Sequence, residues 1–352
     1  VGDINASVLG EVSEKINFDN FGQMSEVKFQ TSKKKDLYSA KFYRDDLGRV
    51  VSAIEDHDSE DHENNKHLKQ YKYDKQGRLI AAYKNTKLVR AYKFDQNGNR
   101  IEANYHGKNI QAKFDAQDRL ISYGKNSYQY NNNGDLIAKF KNEKDDDDDD
   151  HKHKNKHATR YNFDVFGNLK SVLLPNNKKI EYIIDGQNRR IGKKINGKLV
   201  QGFIYQSQTQ VAAELDGSGK LVKRFIYGEK INVPDYMIYQ NKEYRIISDQ
   251  VGTPRLVVEA SSGKIVEKIE MDEFGHDVRI EGKNLIPFGF AGGIYDQDTG
   301  LVRFGARDYD PEIGRWTSKD PIGFAGGDTN LYAYCGGDSV NCIDPEGEFA
   351  IP

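Results

Sequence analysis

Arg160-Tyr-Asn-Phe-Asp-Val-Phe-Gly-Asn-Leu-Lys-Ser-Val-Leu173 is the stretch whose reading decides the fold. Its two flanks alternate between apolar and polar residues, with the two-residue period of a half-buried strand. Between them, Asp164 to Asn168 carries the chemistry of a reverse turn. An Asp side chain accepts from its own downstream backbone, and a Gly three positions on takes a positive φ. Two alternating runs joined by so short a turn read as a β-hairpin.

The same text recurs along the chain. It reads Phe18-Asp19…Gly22, Asp45…Gly48-Arg49-Val50, Tyr73-Asp74…Gly77-Arg78-Leu79 and Phe94-Asp95…Gly98. Further copies are Phe114-Asp115…Asp118-Arg119-Leu120, Tyr130-Asn131…Gly134-Asp135-Leu136, Ile184-Asp185…Asn188, Leu215-Asp216…Gly219 and Met271-Asp272…Gly275. Neighbouring copies lie about 20 residues apart, room for one strand up and one down with little left for helices. The pattern predicts a continuous antiparallel sheet of many hairpins, which must coil or cover itself to protect its edges. A β-propeller or stacked sandwiches are the alternative architectures.

Composition agrees with an all-β chain. Of 352 residues, 37% are hydrophobic and 30% charged, while Tyr (21) and Phe (17) are abundant. That pool suits aromatic rings over a pleated surface and predicts a curling wall rather than a solid globule. The net charge of −2 supplies no field for nucleic acid or an anionic membrane. No apolar run reaches the length of a membrane span. The Val-Gly-Asp start shows no secretory leader and suggests a piece of a longer polypeptide. Cys335 and Cys342 read as packing thiols. Asn142 to His157, with six consecutive Asp and three His, reads as a solvated, disordered insertion (about 142–158), and Glu55 to Asn65 as a shorter one.

One passage is not repetitive. Arg307-Asp-Tyr-Asp-Pro-Glu-Ile-Gly-Arg-Trp-Thr-Ser-Lys-Asp-Pro-Ile-Gly323 holds two Asp-Pro pairs and the single Trp. Before it stand Asp249-Gln-Val-Gly-Thr-Pro-Arg255 and Phe288-Gly-Phe-Ala-Gly-Gly-Ile-Tyr-Asp-Gln-Asp-Thr-Gly-Leu301. After it come Asp328-Thr-Asn-Leu-Tyr-Ala-Tyr334 and Ile343-Asp-Pro-Glu-Gly347. On turn chemistry alone, Asp320 and Asp344 are residues that cap Asp-Pro turns.

The hairpin text and these passages resemble the Rhs/YD-repeat family: bacterial Rhs proteins, the C components of Tc toxins and teneurin shells. The resemblance implies a sheet coiled into a hollow shell over residues 1–286, followed by an Rhs-associated core and autoproteolysis segment over 287–352. It implies a shell that encloses a C-terminal toxin and frees it by a single intramolecular aspartyl cleavage. By position, Asp320 and Asp344 match the family's catalytic carboxylates, with Lys319, Asp328 and Asp338 as supporting candidates. The scissile region is expected at Glu348 and Phe349, with a cut elsewhere in Glu348 to Pro352, or slow or lost cleavage, as the alternatives. Arg315 and Trp316 read as packing residues of a plug. The chain departs from the family's pattern at Ser339, where Pro is common, and at Glu348, where Leu is common.

No cofactor and no metal are expected. The implied partners are the chain's own toxin segment as cargo, a secretion-system spike or immunity protein in the parent system, and a second copy in a homodimer. The implied location is the bacterial cytoplasm, then export or delivery to a target cell. The alternative function is a non-enzymatic cell-surface shell that binds carbohydrate or protein.

Overall fold

The computed structural model describes residues 6–57, 66–141, 158–228 and 230–352. The insertion at 142–157 and most of the shorter one, 58–65, lie outside the described residues. From Ala6–Leu9 to Arg279–Gly282 the chain forms one sheet of 25 strands, each antiparallel to the next. A second sheet of four short strands follows: Ile294–Tyr295, Val302–Phe304, Arg307–Asp310 and Arg315–Trp316. Apart from strands, the described residues contain only short 3-10 turns.

The repeat builds its turn as its chemistry dictates. In the Asp74 copy, Asp74 Oδ1 accepts from Gln76 N–H and Arg78 N–H, both at 3.0 Å. Arg78 Nε returns to Asp74 Oδ2 at 2.6 Å. Gly77 sits at φ +88, the left-handed conformation this turn requires, which Gly adopts without steric cost. Asp118 and Asn188 take the same role at φ 60 and 61, as short polar side chains can. Beside the turn the register shifts, Tyr73 facing Leu79 while Lys72 faces Ala81, and the residue after the turn points inward. That residue is the repeated aliphatic. Leu79, Leu120, Leu136 and Leu169 are each at most 1% exposed, and each contributes about 1.5–3 kcal/mol by leaving water.

In an up-and-down sheet every second connection lies at the same end. The turns at Asp45, Asp74, Asp95, Asp115, Asn131, Asp164 and Asp185 therefore share one rim, whereas the Asp216 copy lies on the other. Along the shared rim the turn arginines stack on the aromatic of the next copy: Arg49 on Tyr73 at 4.7 Å and Arg78 on Phe94 at 5.0 Å. Such contacts add about 0.5–2 kcal/mol each, depending on how far they are desolvated.

The ribbon curls so that its beginning meets strands near its end. Glu11 N–H donates to Ala260 O at 2.7 Å, and Arg245 pairs with Glu14 and lies over Phe29. Val12, Ile16, Leu37 and Tyr38 share one core with Ile247, Leu256 and Val258.

Residues from Phe274 onward complete that core and run across the shared rim. Val50 N–H donates to Asn341 Oδ1 (2.7 Å), Leu136 N–H to Thr317 O (2.9 Å) and Arg303 Nη2 to Asn168 Oδ1 (2.8 Å). Arg190 meets Asp308 at 2.6 Å. The tail is thus fastened to successive turns rather than to one hairpin.

Two sequence expectations need correction. Glu55, Asp56 and His57 are not part of a solvated insertion but close the strand Val50–His57. Glu55 is only 3% exposed and is neutralised by Lys69 at 2.7 Å, which removes the cost of an unpaired buried charge. Cys335 and Cys342 are not separate packing thiols. They form a disulfide with Cα atoms 5.8 Å apart, since the 3-10 turn at Cys335–Gly337 bends the chain back within bonding reach.

Candidate functional site

The non-repetitive passage first builds an aromatic box. Trp316 is fully buried, with its ring centroid 5.8 Å from Phe304 and Tyr309 and 5.4 Å from Tyr334. The Arg307 guanidinium lies 4.2 Å from the Trp316 ring. Strand alternation over Arg307–Asp310 sends Tyr309 into the box, and the indole fixes the plane of Arg307.

Arg307 gathers the two Asp-Pro turns. Its Nη2 lies 2.8 Å from Asp320 Oδ2 and 3.3 Å from Asp344 Oδ2. All three side chains are at most 8% exposed. Each Asp also caps its own turn: Asp320 Oδ1 accepts from Ile322 N–H and Asp344 Oδ1 from Glu348 N–H, both at 3.0 Å. Turn-capping and pairing therefore do not compete. One oxygen of each carboxylate holds backbone, and the other faces the shared guanidinium.

Burial pushes the Asp320 carboxyl above the ordinary range while Arg307 pulls it down. Burial also raises Asp344, opposed by Arg307 and reinforced by Asp320. Two carboxylates on one cation leave an excess negative charge in a dry site, which favours retention of a proton by the pair. Glu348 is raised as well, by burial first and then by Glu346 and Asp320.

The backbone beyond Asp344 is held against this pair. Arg307 Nε donates to Gly347 O, and Ala306 N–H donates to Glu346 O at 2.8 Å. Ile343 and Ile351 exchange two backbone hydrogen bonds, folding residues 343–351 into a closed loop. Gly326 shows how close the Glu348 carbonyl comes to Asp320. A methyl at Gly326 would lie 2.7 Å from Asp320 Oδ2 and 2.8 Å from Glu348 O. The Glu348–Phe349 peptide thus lies beside the carboxylates, and Phe349 beyond it is half exposed.

The other sequence candidates lie apart from the pair. Lys319 reaches Gly134 on the rim. Asp328 caps Asn330 N–H at 2.8 Å. Asp338 holds Asn341, which binds Val50 N–H and Tyr73 Oη; burial raises its carboxyl. Arg315 donates to the Asp118 carbonyl and stacks 4.8 Å from both Phe114 and Tyr332. Sequence reasoning missed Arg307. The signal was available: two buried carboxylates demand a cation, and Arg307 opens the passage that precedes them.

A potential metal cluster, Asp272, His276 and Asp277, has ligand atoms within 4.8 Å of one another. Arg90 lies 3.3 Å from both Asp272 and Asp277, so a guanidinium already supplies the positive charge there.

The teneurin YD-shell family model matches residues 3–331. The chain is 27% identical over 257 residues to the tRNA nuclease WapA of Bacillus subtilis, covering 69% of this chain and 10% of that protein. It is 26% identical over 336 residues to human Teneurin-4, covering 90% of this chain and 11% of that one. It thus spans about a tenth of the length of these relatives. Among solved structures, TcdB2-TccC3-TEV superposes with a TM-score of 0.71 at 18% identity, covering 96% of this chain and 18% of that one. The Photorhabdus luminescens Tc holotoxin pore gives 0.65 at 17% identity, covering 97% and 18%. With the hairpin repeat, the consecutive antiparallel sheet and the family match over most of its length, this chain belongs to the Rhs/YD-repeat proteins, in the teneurin YD-shell family.

Proposed function

We propose that this chain is part of an Rhs-type toxin shell, with residues 1–286 as wall and 287–352 as a plug that cuts the chain at Glu348–Phe349. The observation that carries this reading is the meeting of Asp320 and Asp344 on Arg307, with the Glu348 carbonyl beside Asp320. The released segment would be a C-terminal toxin, held in place until delivery.

The chemistry follows from the pair's charge. The ionised Asp takes a proton from water as the water oxygen attacks the Glu348 carbonyl carbon. The protonated Asp donates to the carbonyl oxygen. Collapse of the tetrahedral intermediate transfers a proton to the Phe349 nitrogen and breaks the C–N bond. One water is consumed, giving a Glu348 carboxyl and a Phe349 amine. Arg307 keeps both carboxylates together and fixes Gly347, so the peptide needs no separate binding step.

The WapA and TccC3 relatives support a toxin shell, and the Cys335–Cys342 disulfide suits passage through an oxidising compartment. The non-enzymatic cell-surface reading keeps the teneurin match and leaves Asp320 and Asp344 the structural work of capping their turns and pairing with Arg307.

The test is to express the chain with its native downstream sequence and measure fragment masses and new N-termini. Cleavage with Phe349 as the new terminus is expected, absent in Asp320→Asn and Asp344→Asn and slowed in Gly326→Ala. An uncut wild type, or the same cut in both Asp variants, would overturn the proposal.

A further inference from the structure

A cavity of about 300 Å³ lies where the Asp310–Glu312 turn, the loop after Asp272 and the inner sheet face converge. Its walls include Lys139, Tyr161, His276, Tyr295, Asp310 and Glu312. It is separate from the Asp320–Asp344 pair and sits at the lower end of the size range of small-ligand pockets.

Asp310 is the informative residue. It is 6% exposed, and its Oδ1 accepts from Glu312 N–H at 3.0 Å. Among the described residues, nothing bonds its second oxygen and no cation forms an ion pair with it. Lys139 pairs with Glu312 and acts on Asp310 only through its nearby charge. Of the lining groups, Asp277, Asp310 and Glu312 are carboxylates and Lys139 is the permanent cation; Asp277 is paired from outside the lining by Arg90 at 3.3 Å. A buried carboxylate with an unused oxygen is costly unless an opposite charge meets it. Tyr161 and Tyr295 add aromatic walls, which hold methylene stems and attract cations.

We propose that this cavity binds a guanidinium or alkylammonium group, with Asp310 as its counter-ion. Such a group occurs on a free amine or on an Arg or Lys side chain of a polypeptide. Both would place N–H donors on the open carboxylate oxygen and apolar carbon along the tyrosines.

Isothermal titration with butylguanidinium and with acetyl-Gly-Arg-Gly-amide separates the two sources. Binding of the first alone marks a site for a free small cation, binding of the second alone a side-chain site, and binding of both a site open to either source. Butylurea, the neutral isostere, should bind the wild type about ten-fold more weakly or not at all. Asp310→Asn should lose affinity by about the same factor with its melting transition intact, while the exposed-site variant Glu346→Gln should bind as the wild type does. The proposal is overturned if neither cationic probe binds the wild type or if butylurea binds as well as butylguanidinium. Equal binding by a folded Asp310→Asn would also overturn it. If that variant does not fold, the butylurea comparison on the wild type decides.

Discussion

Replacing Asp308 with Asn removes the single anion that holds two buried arginines. Asp308 Oδ1 lies 2.6 Å from Arg190 and Oδ2 lies 2.8 Å from Arg303. Each of the three side chains is at most 2% exposed. Asp296 cannot substitute, because Lys193 (2.7 Å) and the Tyr182 hydroxyl (2.7 Å) already engage it. Breaking a buried pair on one side costs about 3–5 kcal/mol, since the remaining charge stays in the dry interior. With 352 residues, the unfolding entropy is roughly 0.7 kcal/mol/K, so a loss of about 4 kcal/mol lowers the melting temperature by about 5 °C. Calorimetry of wild type and Asp308→Asn measures it. The combined variant Asp308→Leu, Arg190→Met, Arg303→Met should regain part of the loss, because apolar groups of similar volume need no counter-charge. A deficit should remain, since Arg190 also stacks 3.5 Å from the Tyr182 ring and Arg303 also donates to Asn168 Oδ1 (2.8 Å) and Asn188 O (2.9 Å). A shift in Asp308→Asn below about 1 °C would refute the reasoning, as would a triple variant that melts no higher than the single one.

Glu55 gives a pH prediction. Burial alone would raise its carboxyl, but Lys69, His57 and Arg255 together hold it far below the ordinary range. A depressed carboxylate adds stability above its unfolded pKa and loses it as pH falls through the folded value. Wild type should therefore exceed Glu55→Gln in urea stability at neutral pH, with the gap closing as pH falls through and below the ordinary carboxylate range; a gap independent of pH would contradict the assignment. The Cys335–Cys342 bridge closes a short loop, worth about 2.5 kcal/mol by loop entropy. Cys335→Ser with Cys342→Ser should lower the melting temperature of oxidised protein and abolish its response to dithiothreitol, and an unchanged melt would show that the bridge adds nothing.

Hairpins were legible because turn chemistry is local: Asp74, Gly77 and Arg78 determine their turn from five consecutive residues. The rim was not. The Asp216 copy is written like the others yet lies at the opposite end, because the rim turn before it, Gln206 to Gln210, closes a hairpin without the repeat's Asp and Gly. Nor does the sequence show that Glu55 joins a strand, which only its distant partner Lys69 explains. The disulfide was illegible for a related reason, since two cysteines seven apart pair only if the chain bends between them. Asp320 and Asp344 stood out through their Asp-Pro turns, but what joins them is Arg307, on another strand.

One long-range feature was nevertheless written in the repeats. Four copies place Arg four after the Asp, and it closes the turn on its own carboxylate, as Arg49, Arg78, Arg119 and Arg189 do. Two copies carry Asn there instead, Asn99 and Asn168. An amide is shorter and neutral, so it leaves both space and an acceptor on the rim. The tail fills those two places with arginines of its own. Arg303 donates to Asn168 Oδ1 at 2.8 Å, and Arg315 lies 3.5 Å from Asn99 Oδ1 with its guanidinium over Phe114, the aromatic of the following copy. Arg78, one copy earlier, makes that same stacking contact with Phe94. The tail therefore completes the wall's own ladder where the repeat is deficient. Its position on the rim is thus held in part at the two copies that carry Asn, as well as by apolar packing.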